Sequence, residues 1–385
     1  MTCAIMLASV SVKADNPPPF LLPNDPAHEE RSSIHTLPPD HGGNPSSYEA
    51  GYINQVAHPD ILYFPAGWGN ANGKNFKYWM GITGSNASTH DYEQPAILVS
   101  DNLDNDTWEE PAGNAYHTNP LSGRTWPPGS SRHYAGIDIV YNDDVDEIWA
   151  YVGKGDRLDL YKSGNGVVWA TVAKDIISQP GLSPSVVKEG NDWLMWMVDD
   201  RKIPNSLVRY RSTDGVEWTF DHDAGYGFRT GVKRDLWHID VIKYDGEYWG
   251  FLVEADLNSS GGNSNLTLIK SHDGITWTGY DAPILDINPR SWDSDRISRS
   301  SFLIENGKLE GIYTAMGANS SRYAGYTSHA QVGGSGWSSN VYLRTLPPLD
   351  SYAPIAIIIL IAIIFIIVFQ RRRQNARDRI SRLAS

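Results

Sequence analysis

Short runs of alternating apolar and polar residues recur along most of the chain and predict β-strands. Five of these runs open a repeated unit and begin at His58, Gly136, Ser183, His238 and Arg299. A second run rich in aromatic residues follows in each unit, as in Glu247-Tyr-Trp-Gly-Phe, and then a third, as in Leu266-Thr-Leu-Ile-Lys. Period-2 alternation of β-branched and aromatic residues is typical of strands. The pattern therefore predicts an all-β chain built from antiparallel strand units.

A turn motif, S-x-D-G-x-x-W, closes each unit. It is complete at Ser212–Trp218 and Ser271–Trp277, and Ser163–Trp169 has Asn in place of Asp. Asp-Gly between two apolar runs predicts a tight hairpin. The tryptophans recur every 49 to 61 residues, at positions 108, 169, 218, 277 and 337. A repeat of four-stranded antiparallel units at this period predicts a β-propeller of five blades over residues 52–346.

Composition removes several classes of function. The chain has 385 residues and a single cysteine, Cys3, which excludes a disulfide framework and a cysteine-based zinc site. The formal net charge of −13 argues against nucleic acid as a partner.

The two ends of the chain predict export and membrane attachment. Residues 353–369 form an uncharged, Ile-rich run, and the basic segment 370–385 follows it. We expect a transmembrane helix in the lipid bilayer, with the C-terminal tail cytoplasmic and the propeller outside, on a cell or viral surface. Residues 1–14 are a candidate signal peptide, 15–51 a Pro- and Gly-rich irregular arm, and 347–352 a juxtamembrane linker. Five N-glycosylation sequons fit an exposed ectodomain, at Asn86, Asn105, Asn258, Asn265 and Asn319.

The hairpins and the P-[DS]-[IV] sequence of the inner strands resemble the five-bladed propellers of glycoside hydrolase family 43 and of related arabinanases, levansucrases and invertases. The resemblance covers residues 52–346 and implies a carbohydrate ligand or substrate. Sialidase propellers share a similar hairpin but have six blades and an arginine cluster, which we do not find in this sequence. In both families the motif is structural, which implies that Asp214 and Asp273 hold turns and that the repeat tryptophans pack between blades.

The catalytic pattern of family 43 is not matched. In that family the first three blades supply Asp, Asp and Glu, of which two act as general base and general acid and the third tunes the acid. The resemblance places these positions on His58, Gly136 and Ser183, none of which is acidic. This departure puts ordinary family 43 catalysis in doubt.

A second set of residues lies two positions further along each inner strand: Asp60, Asp138, Ser185, Asp240 and Ser301. Alternate strand residues face the same side, so we expect three carboxyl groups in one layer of the channel. His58, His238 and Arg299 are expected one layer above and are candidates for substrate binding. Three hypotheses stay open for the carboxyl groups: they brace neighbouring blades, hold a cation such as Ca²⁺, or perform acid–base chemistry on a glycan.

The mouth of the channel has its own candidates. Trp126, Trp237 and Trp292 come just before inner strands and could stack on sugar rings. Glu93 and Glu254 are predicted in loops that join second and third strands, as alternative proton donors. Two functions therefore remain open: a glycan- or receptor-binding ectodomain, and an active glycoside hydrolase that uses Asp60, Asp138 and Asp240.

Overall fold

The fold is an all-β propeller. The structure, a computed structural model, describes residues 31–33, 55–85, 93–103, 108–109, 111, 121, 134–155, 157–178, 181–225, 228, 234–256, 263–280, 283–287, 293–305, 308–316 and 322–327. Within these ranges the chain forms four four-stranded antiparallel sheets and one three-stranded sheet. The prediction of five four-stranded blades is therefore met by four of the sheets.

Each sheet starts with an inner strand, and these strands match the predicted first runs: β2 (Gln55–Ala71), β5 (Tyr134–Asn142), β9 (Leu182–Glu189), β13 (Arg234–Tyr244) and β17 (Arg296–Glu305). The second strands are β3 (Lys74–Ser85), β6 (Glu147–Lys154), β10 (Asp192–Asp199), β14 (Glu247–Asp256) and β18 (Lys308–Met316). The third strands are β4 (Gln94–Ser100), β7 (Arg157–Ser163), β11 (Ser206–Ser212), β15 (Asn265–Ser271) and β19 (Arg322–Thr327). Consecutive strands pair antiparallel, so inner strands begin at the same end as the loops between second and third strands.

The outer strands depart most from the prediction. Three follow the hairpin motif, as β8 (Ala170–Ser178), β12 (Thr219–Gly225) and the two-residue β16 (Thr278–Gly279). In this position of the first sheet, the described residues form a bridge between Val99 and Glu109, and residues 104–107 of the stretched hairpin motif lie outside the described part of the chain. The last sheet is completed by β1 (Arg31–Ser33), which pairs with β19. The prediction of an irregular arm over 15–51 was wrong for these three residues.

The hairpin motif joins neighbouring sheets. Asp273 Oδ1 accepts hydrogen bonds from the N–H groups of Ile275 and Thr276 at 2.8 and 2.7 Å, so the carboxylate holds the turn as expected. The carbonyl oxygen of Gly274 in turn accepts a hydrogen bond from Trp196 Nε1, on the second strand of the preceding sheet, at 2.8 Å. Trp277 is 6% exposed and packs against Trp196, which confirms its predicted burial. Trp218 is half-buried instead, against Tyr151.

Two tyrosines of the first sheet contact the last sheet and help to close the propeller. The hydroxyl groups of Tyr63 and Tyr78 donate to the two carboxylate oxygens of Glu305, at 2.7 and 2.8 Å. These bonds link residues more than 220 positions apart in the chain. These side-chain hydrogen bonds therefore link the first and last sheets, in addition to the pairing of β1 with β19.

Several predicted features lie outside the described residues: the candidate signal peptide 1–14, the linker 347–352, the span 353–369, the basic segment 370–385, and the sequons at Asn86, Asn105, Asn258 and Asn319. In the part of the chain that is described, there is no apolar helix long enough to cross a bilayer. The remaining sequon residue, Asn265, is 7% exposed at the start of β15, which does not suit the exposed loop position expected for it.

Candidate functional site

Three carboxyl groups meet in the centre of the propeller. Asp60, Asp138 and Asp240 come from three inner strands, and one oxygen of each lies within 4.8 Å of the others. All three side chains are buried, with exposed fractions of 5%, 2% and 4%. The period-2 alternation of β2, β5 and β13 brings them together, because each is two positions beyond the first channel-facing residue of its strand.

Hydrogen bonds from this layer run in a closed circle around the channel. Each of the five layer residues accepts a bond from a backbone N–H of the next inner strand: Asp60 from Ile139, Asp138 from Val186, Ser185 from Val241, Asp240 from Phe302, and Ser301 from Ile61. In each bond the donor residue directly follows the layer residue of its own strand. The carboxylates therefore brace adjacent sheets, which is one of the three roles that the sequence left open.

Arg299 lies inside the carboxylate layer, whereas the sequence placed it above. Its guanidinium group donates to Asp138 Oδ1 at 3.2 Å and to the carbonyl oxygens of Ile137 and Pro184 at 2.9 and 2.8 Å. The side chain is completely buried. Starting from the last inner strand, it reaches the second and third, and so closes the channel beneath the mouth.

The charges of this layer are only partly balanced by Arg299. Burial is the main cause that raises the pKa of Asp138 well above its usual range, and it also raises the pKa of Asp240. Burial, with the nearby charge of Asp240, raises the pKa of Asp60 to about 7. Among the described residues, one guanidinium group contacts the three carboxyl groups, so bound protons supply the rest of the compensation.

A calcium ion would find oxygen ligands of the right kind here, since Ca²⁺ prefers carboxylates. All six carboxylate oxygens, however, already accept a hydrogen bond, from a backbone N–H, a serine hydroxyl or Arg299. A cation would have to displace these donors and lie beside a guanidinium group. The donor set therefore fits protons and Arg299 better than it fits Ca²⁺.

A second polar layer lies nearer the mouth. The side chains of Ser183 and His238 are hydrogen-bonded through Oγ and Nδ1. The His238 ring also contacts the His58 ring edge-on, with 4.7 Å between ring centroids. Ser183 and His238 are each 5% exposed, whereas His58 is half-buried. Three inner strands thus contribute one side chain each to a compact group above Arg299.

Backbone bulges shape this second layer. The pairing of every inner strand with its second strand shifts register at this level. His58, Gly136 and Ser183 occupy equivalent positions and have φ values of 53°, 69° and 54°. Left-handed φ is costly for residues other than glycine and persists where the surroundings impose it. The bulges re-aim these residues relative to a regular strand.

Of the other predicted site residues that the structure describes, Trp237 joins this layer and the two glutamates lie elsewhere. Trp237 is half-buried and packs on His238, with 5.6 Å between ring centroids. Glu254 is not in a loop: it belongs to β14, is 1% exposed, and accepts a hydrogen bond from Thr267 Oγ1 at 2.7 Å. Glu93 is half-buried just before β4. Trp126 and Trp292 lie outside the described residues.

The contact between Ser183 and His238 is the feature that sequence reasoning missed. Ser183 counted only as a position without a carboxyl group, and His238 as a separate substrate-binding candidate. The signal was present in the alignment of the repeats, since both residues fall on the first channel-facing position of neighbouring inner strands. Their pairing depends on the bulge at Ser183, which the strand pattern does not reveal.

Comparisons with known proteins found a curated relative and solved structures of similar fold. No family model matches it. The A type blood N-acetyl-alpha-D-galactosamine deacetylase of Flavonifractor plautii is 28% identical over 315 residues, which are 67% of this chain and 39% of that protein. The chain thus spans well under half the length of this curated relative.

Solved structures share the fold. A crystal structure of an N-acetylgalactosamine deacetylase from F. plautii, in complex with blood group B trisaccharide, has a TM-score of 0.62 and 22% identity, covering 78% of this chain and 95% of that one. A thermostable family-43 glycoside hydrolase has a TM-score of 0.50 and 11% identity, covering 74% and 92%. An endo-1,4-beta-xylanase from Bacteroides thetaiotaomicron has a TM-score of 0.51 and 14% identity, covering 73% and 96%. The propeller fold is therefore shared with glycoside hydrolases and with a deacetylase.

Proposed function

We propose that this protein is a carbohydrate-binding propeller, with its ligand site at the end of the channel where the inner strands begin. The observation that carries the proposal is the group formed by His58, Ser183, His238 and Trp237. Imidazole and hydroxyl groups can bond to sugar hydroxyls, and an indole face can cover sugar C–H groups. Arg299 and the carboxylate layer close the channel beneath, so a ligand would rest on this group.

The relatives support a glycan as the ligand. One similar structure holds a blood group B trisaccharide, and the curated relative acts on an N-acetylated galactosamine. We therefore take glycans that carry N-acetylated amino sugars as the first class to test.

The proposal includes a five-bladed, membrane-anchored architecture. The closed circle of hydrogen bonds through five inner strands supports the view that the three-stranded sheet is a fifth blade. The apolar run 353–369 and the basic residues after it support a C-terminal anchor with the propeller outside the cell. Protease added to intact cells should then remove the propeller and leave a short C-terminal fragment. A protected propeller with a cleaved tail would reverse this orientation.

The second candidate is a glycoside hydrolase that uses the channel carboxylates. The fold shared with family 43 favours it. Against it, each carboxylate oxygen of Asp60, Asp138 and Asp240 already accepts a hydrogen bond, and Arg299 lies within the same layer. Hydrolysis needs two carboxyl groups on either side of an accessible bond, about 5–10 Å apart. The observed layer is closer to a structural brace.

Calorimetric titration with the blood group A and B trisaccharides, and with an arabino-oligosaccharide, tests the binding proposal. Trp237→Ala should weaken binding about fivefold or more, because loss of one stacked aromatic group removes roughly 1 kcal/mol or more. Phe220→Ala is the matched control: Phe220 is 59% exposed on the outer strand β12, so its removal should leave affinity unchanged. Equal effects of the two changes, or no binding of any of these sugars, would overturn the proposal.

The same sugars separate binding from hydrolysis. In a hydrolase, Asp138→Asn should abolish release of reducing sugar without a change in affinity, because the amide keeps the shape and loses the proton-transfer function. In a binding protein no reducing sugar is released by the wild type.

A further inference from the structure

We propose that Ser183 and His238 form a nucleophile–base pair that removes a small acyl group from the glycan held at the mouth. This inference rests on the proposed function, because it assumes that a glycan reaches this layer. The pair stands where the repeats place their first channel-facing residues, beside the half-buried His58 and Trp237.

The hydrogen bond between Ser183 Oγ and His238 Nδ1 is the first argument. A serine hydroxyl is a weak nucleophile until a neighbouring base accepts its proton, and hydrogen-bonded contact with an imidazole is the recurring arrangement for this. The two residues lie on different sheets, 55 positions apart in the chain, so the contact is a product of the fold and not of local sequence.

The backbone at Ser183 is the second argument. Its φ of 54° is unfavourable for serine and is imposed by the bulge between β9 and β10. Just beyond it, Ser185 accepts a hydrogen bond from Val241 and Val186 donates one to Asp138, and these bonds anchor the strand. Strained positions of this kind recur at reactive groups because the surrounding structure fixes the side chain in one direction.

The neighbour of Ser183 on the preceding inner strand is the third argument. Gly136, at the equivalent position, has no side chain. A Cβ atom on it would lie 3.7 Å from Pro184 Cδ and 3.8 Å from Ser183 Cα, so a larger residue here would lie against the serine. Glycine leaves this side of Ser183 uncovered by that strand, which favours the approach of a small acyl group.

The reaction balances with water as the only co-reactant. Ser183 Oγ forms a bond to the acyl carbon while its proton passes to His238 Nδ1. The bond from the acyl carbon to the sugar nitrogen or oxygen then breaks, and His238 returns the proton to the leaving amine or alcohol. Water attacks the acyl-serine, gives its proton to His238, and releases the carboxylic acid as Ser183 recovers its proton.

Acetylation of the full-length protein by 4-nitrophenyl acetate tests the pair. We expect a burst of one nitrophenolate per chain and, after acid quenching, one acetyl group on the peptide that contains Ser183. Ser183→Ala should abolish both, and Ser183→Cys should retain labelling because a thiol can also be acylated. His238→Gln should slow labelling by about 10²–10⁴-fold, the usual contribution of a positioned base.

The matched control is Ser271→Ala, in the hairpin motif at the end of β15. It should lower stability, because Ser271 Oγ accepts from Gly274 N–H at 2.8 Å, but leave labelling at the wild-type rate. Labelling that is unaffected by His238→Gln, or that occurs only away from Ser183, would overturn the inference. A folded Ser183→Cys variant that is not labelled would do the same.

Binding of the trisaccharides is measured separately on the same preparations, so the two proposals can fail independently. Trisaccharide binding without acylation would refute the pair and leave the carbohydrate site standing. Acylation of Ser183 without sugar binding would keep the pair and refute the carbohydrate site.

Discussion

The hydroxyl oxygen of Ser301 accepts a hydrogen bond from the backbone N–H of Ile61, 240 positions earlier in the chain, at 3.0 Å. The same hydroxyl group donates to Asp60 Oδ1 at 3.0 Å. One serine thus connects the last inner strand to the first through both its donor and its acceptor function. It is the member that completes the hydrogen-bond circle.

Ser301→Ala should lower the free energy of unfolding by about 1–3 kcal/mol, because it leaves a buried N–H group and a buried carboxylate oxygen without this partner. Ser300→Ala is the control. Ser300 is 1% exposed, and its hydroxyl group has no hydrogen-bond partner among the described residues. Its removal should therefore be neutral or slightly stabilising. Urea denaturation of the two variants checks the contrast, and equal losses would show that the circle is not what stabilises closure.

The pH dependence of stability follows from Asp60. Its pKa is about 7 in the folded protein and near 3.8 in an unfolded chain. Between these values the folded state binds more protons, so this group makes the protein less stable as the pH rises from about 4 to about 7. Above pH 7 its contribution is constant.

The contribution of Asp60 can be isolated by comparison with Asp60→Asn, which cannot titrate. The difference in unfolding free energy between wild type and variant should shift against the wild type as the pH is raised through this window. Denaturant titrations at half-unit pH intervals measure it. A difference that grows in favour of the wild type would mean that the folded-state pKa is lowered.

Strand periodicity was sufficient to locate the five inner strands and to place Asp60, Asp138 and Asp240 in one layer, because period-2 alternation is a local property of each strand. It could not place Arg299, whose long side chain carries its guanidinium to the carbonyl oxygen of Pro184, 115 positions earlier. A flexible side chain that crosses the channel takes its position from tertiary contacts. Sequence spacing carries no record of those contacts.

The same limit explains β1 and the pair at the mouth. Arg31–Ser33 has no strand pattern of its own and forms a strand because β19 offers an unpaired edge. Ser183 meets His238 because of a bulge, which inserts a residue without a distinctive sequence signal. Local patterns predicted the sheets, and contacts between sheets determined the site.

The glycine of the hairpin motif should prove to be a packing residue as well as a turn residue. A Cβ atom on Gly274 would lie 2.7 Å from the Trp196 ring, whereas one on Gly190 would have no neighbour within 4 Å. Both glycines have positive φ, 68° and 56°, so alanine carries a similar backbone cost at each. Gly274→Ala should therefore destabilise by about 1–3 kcal/mol more than Gly190→Ala, as overpacking does. Thermal unfolding of the two variants measures the difference, and equal melting temperatures would show that the Trp196 contact yields freely.

Arg299 should be the residue on which the carboxylate layer depends most. Arg299→Met removes the guanidinium group that contacts Asp138 and should cost about 3–5 kcal/mol at pH 8, as loss of one partner from a buried ion pair does. The cost should be smaller at pH 5, because protonated carboxyl groups need no compensating charge. Arg211→Met is the control. Arg211 and Asp192 form an exposed pair, with side chains 51% and 57% accessible, and its loss should cost about 0–1 kcal/mol.

Unfolding of Arg299→Met with and without calcium chloride tests whether the carboxylate layer can hold a cation. Recovery of most of the lost stability by Ca²⁺, together with destabilisation of the wild type by a chelator, would restore the cation hypothesis. We expect neither result, because all six carboxylate oxygens already accept hydrogen bonds.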